Sequence, residues 1–300
     1  MRIDGKEIAE KIFADLKIRV SKLKEKKVVA HLAVILVGES PASVAYVTLK
    51  QKKGEAIGAK VSLIKYQPDI TTEELVKKVE ELNDDPSVHG ILIQRPLPPQ
   101  IDVEKLELLT DPEKDIDGFH PSSPYTLPLP LAVVKILEEI YLSLRVNKMS
   151  EAIPEKIAAS PSAPRNDKFI NWLKSQNVVV LGKGPTGGGP IIKLLNKLGA
   201  NPIVIDSKTE NPEDLMKKAD VIIGSVGREN VILPENIKKG VILIGVGILK
   251  GKDGKLKGDY DEEKIKDIAG FYTPTPGGVG PVNVAMLMEN LLTATEKQTR

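Results

Sequence analysis

The chain has 300 residues, of which 41% are hydrophobic and 28% charged, and its formal net charge is +2. This composition is that of a globular protein with a real core, folded as one large domain or two ordinary ones. The small charge gives no electrostatic case for a nucleic-acid or membrane-surface partner. The chain has no cysteine and three histidines, which excludes disulfides and a cysteine nucleophile and leaves little material for a metal site. The first residues, MRIDGKEIAEKI, form an amphipathic helix rather than a signal peptide. We therefore expect a cytoplasmic protein without a resident metal.

Strand-like and helix-like runs alternate along most of the chain, which is typical of an α/β fold with parallel sheets. The first series predicts helix 4–26, strand 31–37, helix 41–57, strand 60–66, helix 72–84 and strand 90–94. The second predicts strand 178–181, helix 190–198, strand 202–205, helix 211–219, and strands 221–225, 241–246 and 269–273, before a last helix over 282–297.

These two series predict two lobes with a cleft between them. Residues 1–145 would form an α/β catalytic lobe, to which a carboxyl-terminal helix over 282–300 returns. Residues 146–281 would form a linker followed by a Rossmann-like dinucleotide-binding lobe. The stretch 146–175, rich in Ala, Ser, Pro and Lys, is predicted as that linker, with one short helix over 167–175.

A glycine motif follows the first strand of the second series. Gly182, Gly184 and Gly187 form G-x-G-x-x-G between a strand and a helix, where glycines permit the turn and let a diphosphate approach a helix amino terminus. Asp206 ends the next strand, where a carboxylate can bind the ribose 2′-hydroxyl of NAD. Three neighbours could instead hold the 2′-phosphate of NADP: Lys183, Ser207 and Lys208. The glycines could also serve only to pack the strand against the helix.

A run of three prolines and three glycines over 274–281 stands between a predicted strand and the last helix. Proline cannot continue a strand, and glycine leaves the backbone open to close approach. Eight such residues exceed what a tight turn needs. We therefore expect a stiff loop that a ligand can approach at its backbone.

Four polar side chains are candidates for catalysis. Tyr46 and Lys50 lie four residues apart on one predicted helix and so share a face. Gln94 ends an apolar strand, at the edge where parallel sheets bind ligands. Asp115 and Asp117 are two residues apart, but no further ligands indicate a metal, and one aspartate bonding the amino and ring N–H groups of a heterocycle is the simpler interpretation. Lys50 alone would more often face solvent.

Together these motifs resemble the bifunctional methylenetetrahydrofolate dehydrogenase/methenyltetrahydrofolate cyclohydrolase family, known as FolD. The matching stretches are spread through most of the chain: 37–43 with Tyr46, Val47 and Lys50, then 90–98, 114–121 and 276–281.

The resemblance implies oxidation of 5,10-methylenetetrahydrofolate with NAD(P), followed by hydrolysis of the methenyl product to 10-formyltetrahydrofolate. It implies that Lys50 is the cyclohydrolase residue, that Gln94 orients it, that Tyr46 stacks near the folate and that Asp117 holds the pterin. It also implies a homodimer that uses NADP, with NAD possible. In the proline- and glycine-rich loop, substrate would meet Pro276, Gly277, Gly278 and Val279, and the dinucleotide would meet Gly280 together with Gly182, Lys183, Gly184, Gly187, Asp206 and Ser207.

Several positions depart from the family pattern. Asp206 stands where a histidine is common, Gly245 where an aspartate is common, and Asn283 where a threonine is common. Lys183 and Gly184 replace the usual Arg-Ser. These departures leave open a cyclohydrolase with weak or lost dehydrogenase activity. Two further alternatives are a two-lobed dehydrogenase of the shikimate type and a non-catalytic nucleotide or folate sensor.

Overall fold

The computed structural model describes residues 1–149, 167–251 and 254–300, which form two compact units. The amino-terminal unit combines Glu10–Pro128 with Val284–Arg300, and the central unit combines Met1–Ala9 with Leu129–Asn283. The predicted linker lies largely outside the described residues. None of the helices within the described ranges combines the length and apolar character that a membrane span requires.

The amino-terminal unit is built on a three-stranded parallel sheet in the order β2-β1-β3. Its elements are α1 (Gly5–Glu25), β1 (His31–Val37), α2 (Pro41–Ile57), β2 (Lys60–Tyr66), α3 (Thr72–Asp84), β3 (Gly90–Ile93), α4 (Val103–Leu109) and most of α10 (Val279–Gln298). All seven residues of β1 are buried because it is the central strand, and central parallel strands are covered on both faces.

Local sequence sets the ends of these helices. Pro41 begins α2 after Ser40, whose side chain forms no capping bond, and Gly58 ends it in the left-handed conformation (φ 91°) that glycine tolerates. Helix α3 begins with a full capping box, in which Thr71 and Glu74 bond each other's backbone N–H groups. Gly54 lets α2 lie close to the sheet, since a Cβ there would stand 2.6 Å from Val61.

The central unit is built on a five-stranded parallel sheet in the order β10-β7-β6-β4-β5. Its strands are β4 (Val178–Leu181), β5 (Ile203–Ile205), β6 (Val221–Gly224), β7 (Ile242–Gly245) and β10 (Phe271–Tyr272), and β8 (Leu249–Lys250) pairs with β9 (Leu256–Lys257). Its helices are α5 (Pro128–Met149), α6 (Asp167–Lys174), α7 (Gly188–Lys197), α8 (Pro212–Lys218) and α9 (Glu262–Ile265). In chain order the sheet reads 2-1-3-4-5, a doubly wound arrangement whose direction reverses between β4 and β6.

The predicted alternation of parallel strands and helices is confirmed, with several boundaries exact and the others shifted by at most three residues. One shift matters: α10 begins at Val279 rather than at residue 282. Pro281 is compatible with this because the first helical turn needs no backbone donor. The sequence patterns missed α4, α5, α9 and the β8–β9 pair. Helix α5 was missed because it opens with Pro-Leu-Pro, which reads as a loop.

Candidate functional site

Lys50 lies in the middle of the buried stripe of α2. That stripe consists of Ser43, Val47, Lys50, Gly54 and Ile57, at the three- and four-residue spacing of a core-facing helix. Apolar side chains usually occupy such a position, yet Lys50 is only 9% exposed. Tyr46, one turn earlier, is 37% exposed. The helix therefore combines a buried amine with a phenol ring that an incoming molecule can contact.

Gln94 supplies the partner of this amine. It follows β3, and its backbone N–H still donates to Ile35 of β1 over 2.8 Å. The Lys50 amine donates to the Gln94 side-chain oxygen over 2.9 Å, and the Gln94 side-chain nitrogen donates to the Arg95 carbonyl over 2.6 Å. Both ends of the amide are thus engaged, which fixes its orientation toward Lys50.

Asp115 and Asp117 have different surroundings. Asp115 is 5% exposed, and its carboxylate accepts bonds from the backbone N–H groups of Gly118 (3.1 Å) and His120 (2.7 Å). In the described part of the chain, no hydrogen bond engages the Asp117 carboxylate. Asp115 therefore holds the turn, while Asp117 remains available to a ligand. No cluster of three or more His, Asp or Glu side chains suited to a metal ion occurs within the described ranges.

The charges of Lys50 and Asp117 are electrostatically coupled. Burial lowers the pKa of the Lys50 amine, and the negative charge of Asp117 opposes part of that effect. Burial also raises the pKa of the Asp117 carboxyl, which Lys50 and Arg95 counteract. Each group thus stabilises the charged form of the other, while desolvation favours both neutral forms.

Arg95 is a component of this site that the sequence patterns missed. Its guanidinium carbon lies 3.8 Å from the centre of the Phe119 ring, and the guanidinium forms an ion pair with Glu107 of α4. Arg95, Glu107, Asp117 and Phe119 line one pocket with apolar residues of β3 and α4. The signal available in the sequence was the position of Arg95, directly after Gln94 at the end of a strand.

In the central unit, the glycine motif lies where the strand order reverses. A Cβ on Gly182 would stand 2.8 Å from the Ser225 carbonyl oxygen, one on Gly187 2.5 Å from the Ser225 hydroxyl, and one on Gly188 1.9 Å from the Gly182 oxygen. By contrast, Gly184 has open space around it. The loop thus packs tightly at its base, beside the end of β6, and is open at its tip before the amino terminus of α7. This arrangement fits a dinucleotide diphosphate. Ser225 is a second residue of a candidate site that the sequence motifs did not indicate.

Lys183 and Asp206 bind each other. The Lys183 amine lies 2.7 Å from the Asp206 carboxylate, which also accepts bonds from the Lys208 backbone N–H and the Thr209 hydroxyl. These contacts lower the pKa of Asp206 to about 2, with the bond from Lys183 as the largest cause. Ser207 lies in the exposed turn between Asp206 and Lys208. Two residues that favour different coenzymes are therefore paired with one another.

The proline- and glycine-rich loop is held tightly at its carboxyl-terminal half. Gly277 has a φ of 107°, and its carbonyl accepts a bond from the Gly5 N–H over 2.9 Å. A Cβ on Gly5 would stand 1.7 Å from the Gly278 oxygen. Pro276 is exposed and Gly277 half-buried, whereas Gly278 and Val279 are buried. Val279, Gly280 and Pro281 belong to the first turn of α10 and not to the loop.

The two units define a class of α/β proteins. One unit has a parallel sheet and a helix with a buried lysine, and the other has a doubly wound sheet with a glycine motif where the strand order reverses. Within that class, the chain belongs to the tetrahydrofolate dehydrogenase/cyclohydrolase family. Residues 3–117 match the catalytic domain of the family and residues 168–299 match its NAD(P)-binding domain. The resemblance drawn from the sequence motifs is confirmed, and the alternative of a shikimate-type dehydrogenase is set aside.

Relatives match over the full length. The bifunctional protein FolD of Lactococcus lactis subsp. lactis is 38% identical, over 99% of this chain and 97% of its own. The crystal structure of FolD from Campylobacter jejuni superposes with a TM-score of 0.86 at 33% identity, covering 99% of both chains. FolD from Trypanosoma brucei, in complex with NADP and an inhibitor, superposes with a TM-score of 0.77 at 29% identity, covering 100% of this chain and 98% of its own.

Proposed function

We propose that this chain oxidises 5,10-methylenetetrahydrofolate to 5,10-methenyltetrahydrofolate with NADP and hydrolyses that product to 10-formyltetrahydrofolate. The observation that carries the proposal is the buried Lys50 amine bonded to Gln94, with a free carboxylate nearby, in the region that matches the catalytic domain of the family. We assign the folate chemistry to residues 1–145 and 282–300 and the dinucleotide to residues 146–281. We further propose a cytoplasmic homodimer.

In the proposed hydrolysis, Lys50 acts as the base. Water attacks the methenyl carbon, and the neutral amine takes a proton from that water. As the carbon–N5 bond breaks, N5 takes the proton that the Lys50 amine had accepted, and the hydroxyl on the carbon releases its own proton to solvent to form the C=O bond. The formyl group remains on N10. Gln94 holds the amine in place, and its neutral oxygen stabilises the amine without the full negative charge that would retain the proton. Burial lowers the pKa of the Lys50 amine from its ordinary value, which favours this role.

Asp117 and Tyr46 are assigned to the pterin. A carboxylate that forms no hydrogen bond within the described part of the chain can accept bonds from both the amino group and a ring N–H of the heterocycle. The partly exposed Tyr46 ring offers a face for stacking. The proline- and glycine-rich loop contributes Pro276 and Gly277 as accessible contacts for substrate, with Gly278, Val279 and Gly280 shaping the backbone behind them.

Hydride transfer needs positioning more than a strong base, because both nitrogens stabilise the methenyl cation. When bound, the nicotinamide ring supplies the hydride acceptor. The glycine motif would hold the diphosphate at the amino terminus of α7. No alternative function is favoured by the site, because the family match extends over the nucleotide unit as well.

The choice of NADP rests on Lys183. Its side chain is 66% exposed, and its amine can turn from Asp206 to a 2′-phosphate. NADP in the T. brucei relative supports this choice.

We expect Lys183→Ala to raise the KM for NADP more than that for NAD, and Asp206→Ala to lower the KM for NADP. Lys217→Ala, an exposed lysine of α8, is the control. A lower KM for NAD than for NADP in the unmodified enzyme would contradict the choice.

The direct test is turnover. Purified protein with methylenetetrahydrofolate should reduce NADP, and with methenyltetrahydrofolate should form the formyl product. Hydrolysis without reduction of NADP or NAD would leave a cyclohydrolase alone. The absence of both reactions would overturn the proposal.

A further inference from the structure

We infer that a short segment, residues 258–262, positions the proline- and glycine-rich loop, and that the Tyr260 hydroxyl is its main contact. This inference rests on the proposed function, since the loop is assigned there to the folate and the dinucleotide. Neither Tyr260 nor Glu262 is among the residues that we assign to substrate or dinucleotide. Both are therefore positioning residues and not catalytic ones.

Tyr260 joins the ends of two neighbouring strands. Its hydroxyl donates to the Thr273 carbonyl over 2.6 Å and lies 3.2 Å from the Thr273 hydroxyl. The Thr273 hydroxyl in turn accepts a bond from the Gly245 N–H over 2.9 Å, at the end of β7. Tyr260 is 7% exposed, and Thr273 and Gly245 are also buried. Thr273 is the residue directly before the loop, so this network holds the point where the loop leaves the sheet.

Gly245 and Tyr260 form a matched pair. A Cβ at position 245 would stand 3.2 Å from the Tyr260 hydroxyl and 3.3 to 3.4 Å from its ring. These are tighter than ordinary contacts, and the buried ring has little freedom to move away. A side chain at position 245 would therefore displace the hydroxyl that bonds Thr273. The glycine at this position is a packing requirement of Tyr260 and does not by itself imply a weakened dehydrogenase.

Two further contacts of the segment reach the loop itself. The Glu262 carboxylate accepts a bond from the Thr275 N–H over 2.9 Å. A Cβ on Gly258 would stand 2.7 Å from the Thr275 hydroxyl, so the glycine leaves room for that side chain. Together with the bond from Tyr260 to Thr273, the segment therefore contacts the residue just before the loop and Thr275 within it. The loop is also held at Gly277, whose carbonyl accepts a bond from the Gly5 N–H.

The contacts explain how a loop rich in glycine can be stiff. Glycine residues have the largest conformational freedom to lose, so a loop that contains Gly277 and Gly278 needs external bonds to hold one geometry. Hydride transfer requires the reacting carbons to be held close and aligned. Loss of the Tyr260 bond should therefore lower the rate of hydride transfer. The rate of hydrolysis should change much less, because its catalytic residues, Lys50 and Gln94, lie in the amino-terminal unit, even though the folate also contacts the loop.

The test is Tyr260→Phe in the full chain, which keeps the ring and removes the hydroxyl. We expect the dehydrogenase kcat to fall about tenfold, as loss of one buried hydrogen bond implies, and the cyclohydrolase kcat to change by less than about twofold. The matched control is Tyr272→Phe, a buried tyrosine on β10, which should leave both rates unchanged. Equal behaviour of the two variants would overturn the inference.

A double-mutant cycle tests the pairing. Gly245→Ala should cost more unfolding free energy and more dehydrogenase activity in the unmodified chain than in the Tyr260→Phe background, where the nearest atom is absent. Additive effects would overturn the pairing. If the unmodified chain reduces neither coenzyme, the proposed function fails instead, and the cycle measured by unfolding still reports on Gly245 and Tyr260.

Discussion

The Lys50 amine donates to the side-chain oxygen of Gln94, 2.9 Å away. A buried lysine is usually paired with a carboxylate, which would hold its proton. Here the direct partner is a neutral amide, whose other end is bonded to the backbone of Arg95. The carboxylate of Asp117 acts on the amine as well, but more weakly than burial does. The amine is thus kept in a position where it can lose its proton more readily than an exposed lysine.

Replacing Lys50 by methionine should abolish hydrolysis of methenyltetrahydrofolate. Removal of a general base typically costs a factor of about 10² to 10⁴. The fold should survive, and the free energy of unfolding at neutral pH should rise, because an apolar side chain replaces a buried cation. The measurement is the hydrolysis rate together with urea unfolding. Lys52→Met, at an exposed position of the same helix, serves as control. A hydrolysis rate like that of the unmodified enzyme would refute the assignment.

The hydrolysis rate should rise with pH and level off above the pKa of Lys50, since only the neutral amine accepts a proton. That pKa is lowered in the folded protein, so the rise should occur below the range of an exposed lysine. Gln94→Glu places a negative charge beside the amine, favours its protonated form and should move the rise to higher pH. Rate profiles of the two proteins decide this. An unchanged midpoint would show that Lys50 does not control the reaction.

The same shift links pH to stability. Between the lowered pKa and the ordinary one, the unfolded chain binds more protons at Lys50 than the folded chain does. The contribution of this residue to the free energy of unfolding therefore grows as pH rises through that window and is lost as pH falls below the folded-state pKa. Lys50→Met should remove this part of the pH dependence.

Asp117→Ala should weaken folate binding and leave dinucleotide binding intact. A hydrogen bond to a charged group contributes roughly 1.5–3 kcal/mol, or about 10- to 100-fold in affinity. Titration calorimetry with each ligand measures the difference. Asp115→Ala is the contrast: its carboxylate holds two backbone N–H groups, so it should lower the melting temperature. Equal losses for both ligands in the Asp117 variant would indicate a structural role.

Arg95→Leu should destabilise the protein and alter folate binding. It leaves Glu107 without its cation, which costs roughly 1–3 kcal/mol for a partly buried charge. It also removes a positive charge that lowers the pKa of Asp117. Folate binding should therefore be lost at a higher pH on acidification than in the unmodified enzyme. The double variant Arg95→Leu/Glu107→Leu should recover stability but not the pH midpoint. Recovery of both would place Arg95 outside the site.

Much of this protein is legible in its sequence because the relevant signals are local. The largely apolar run of β1, the Pro41 start of α2 and the glycines after β4 each act through their immediate neighbours, and the element bounds that they predict are confirmed. The spacing of Tyr46 and Lys50 follows from helix geometry alone. The roles of the candidate residues stay predictions, since they concern ligands.

Other features depend on contacts between distant segments. Asp115 and Asp117 look equivalent in the sequence, but one is used by its own turn while the other is not. Lys183 and Asp206 indicate different coenzymes when considered singly, and their ion pair exists only because β4 and β5 are neighbours. The residue that a side chain at position 245 would contact is Tyr260, which lies fifteen residues further along the chain.

Hydrophobic periodicity and the conformational limits of glycine and proline are properties of short stretches, so they establish the elements and the edges where ligands bind. Burial, charge pairing and the space beside a glycine depend on residues that are distant in sequence and that folding brings together. They determine that Lys50 is desolvated and that, among the residues the structure describes, none forms a hydrogen bond with the Asp117 carboxylate. Such quantities have no local signature, because each depends on atoms that are remote in sequence and adjacent only after folding.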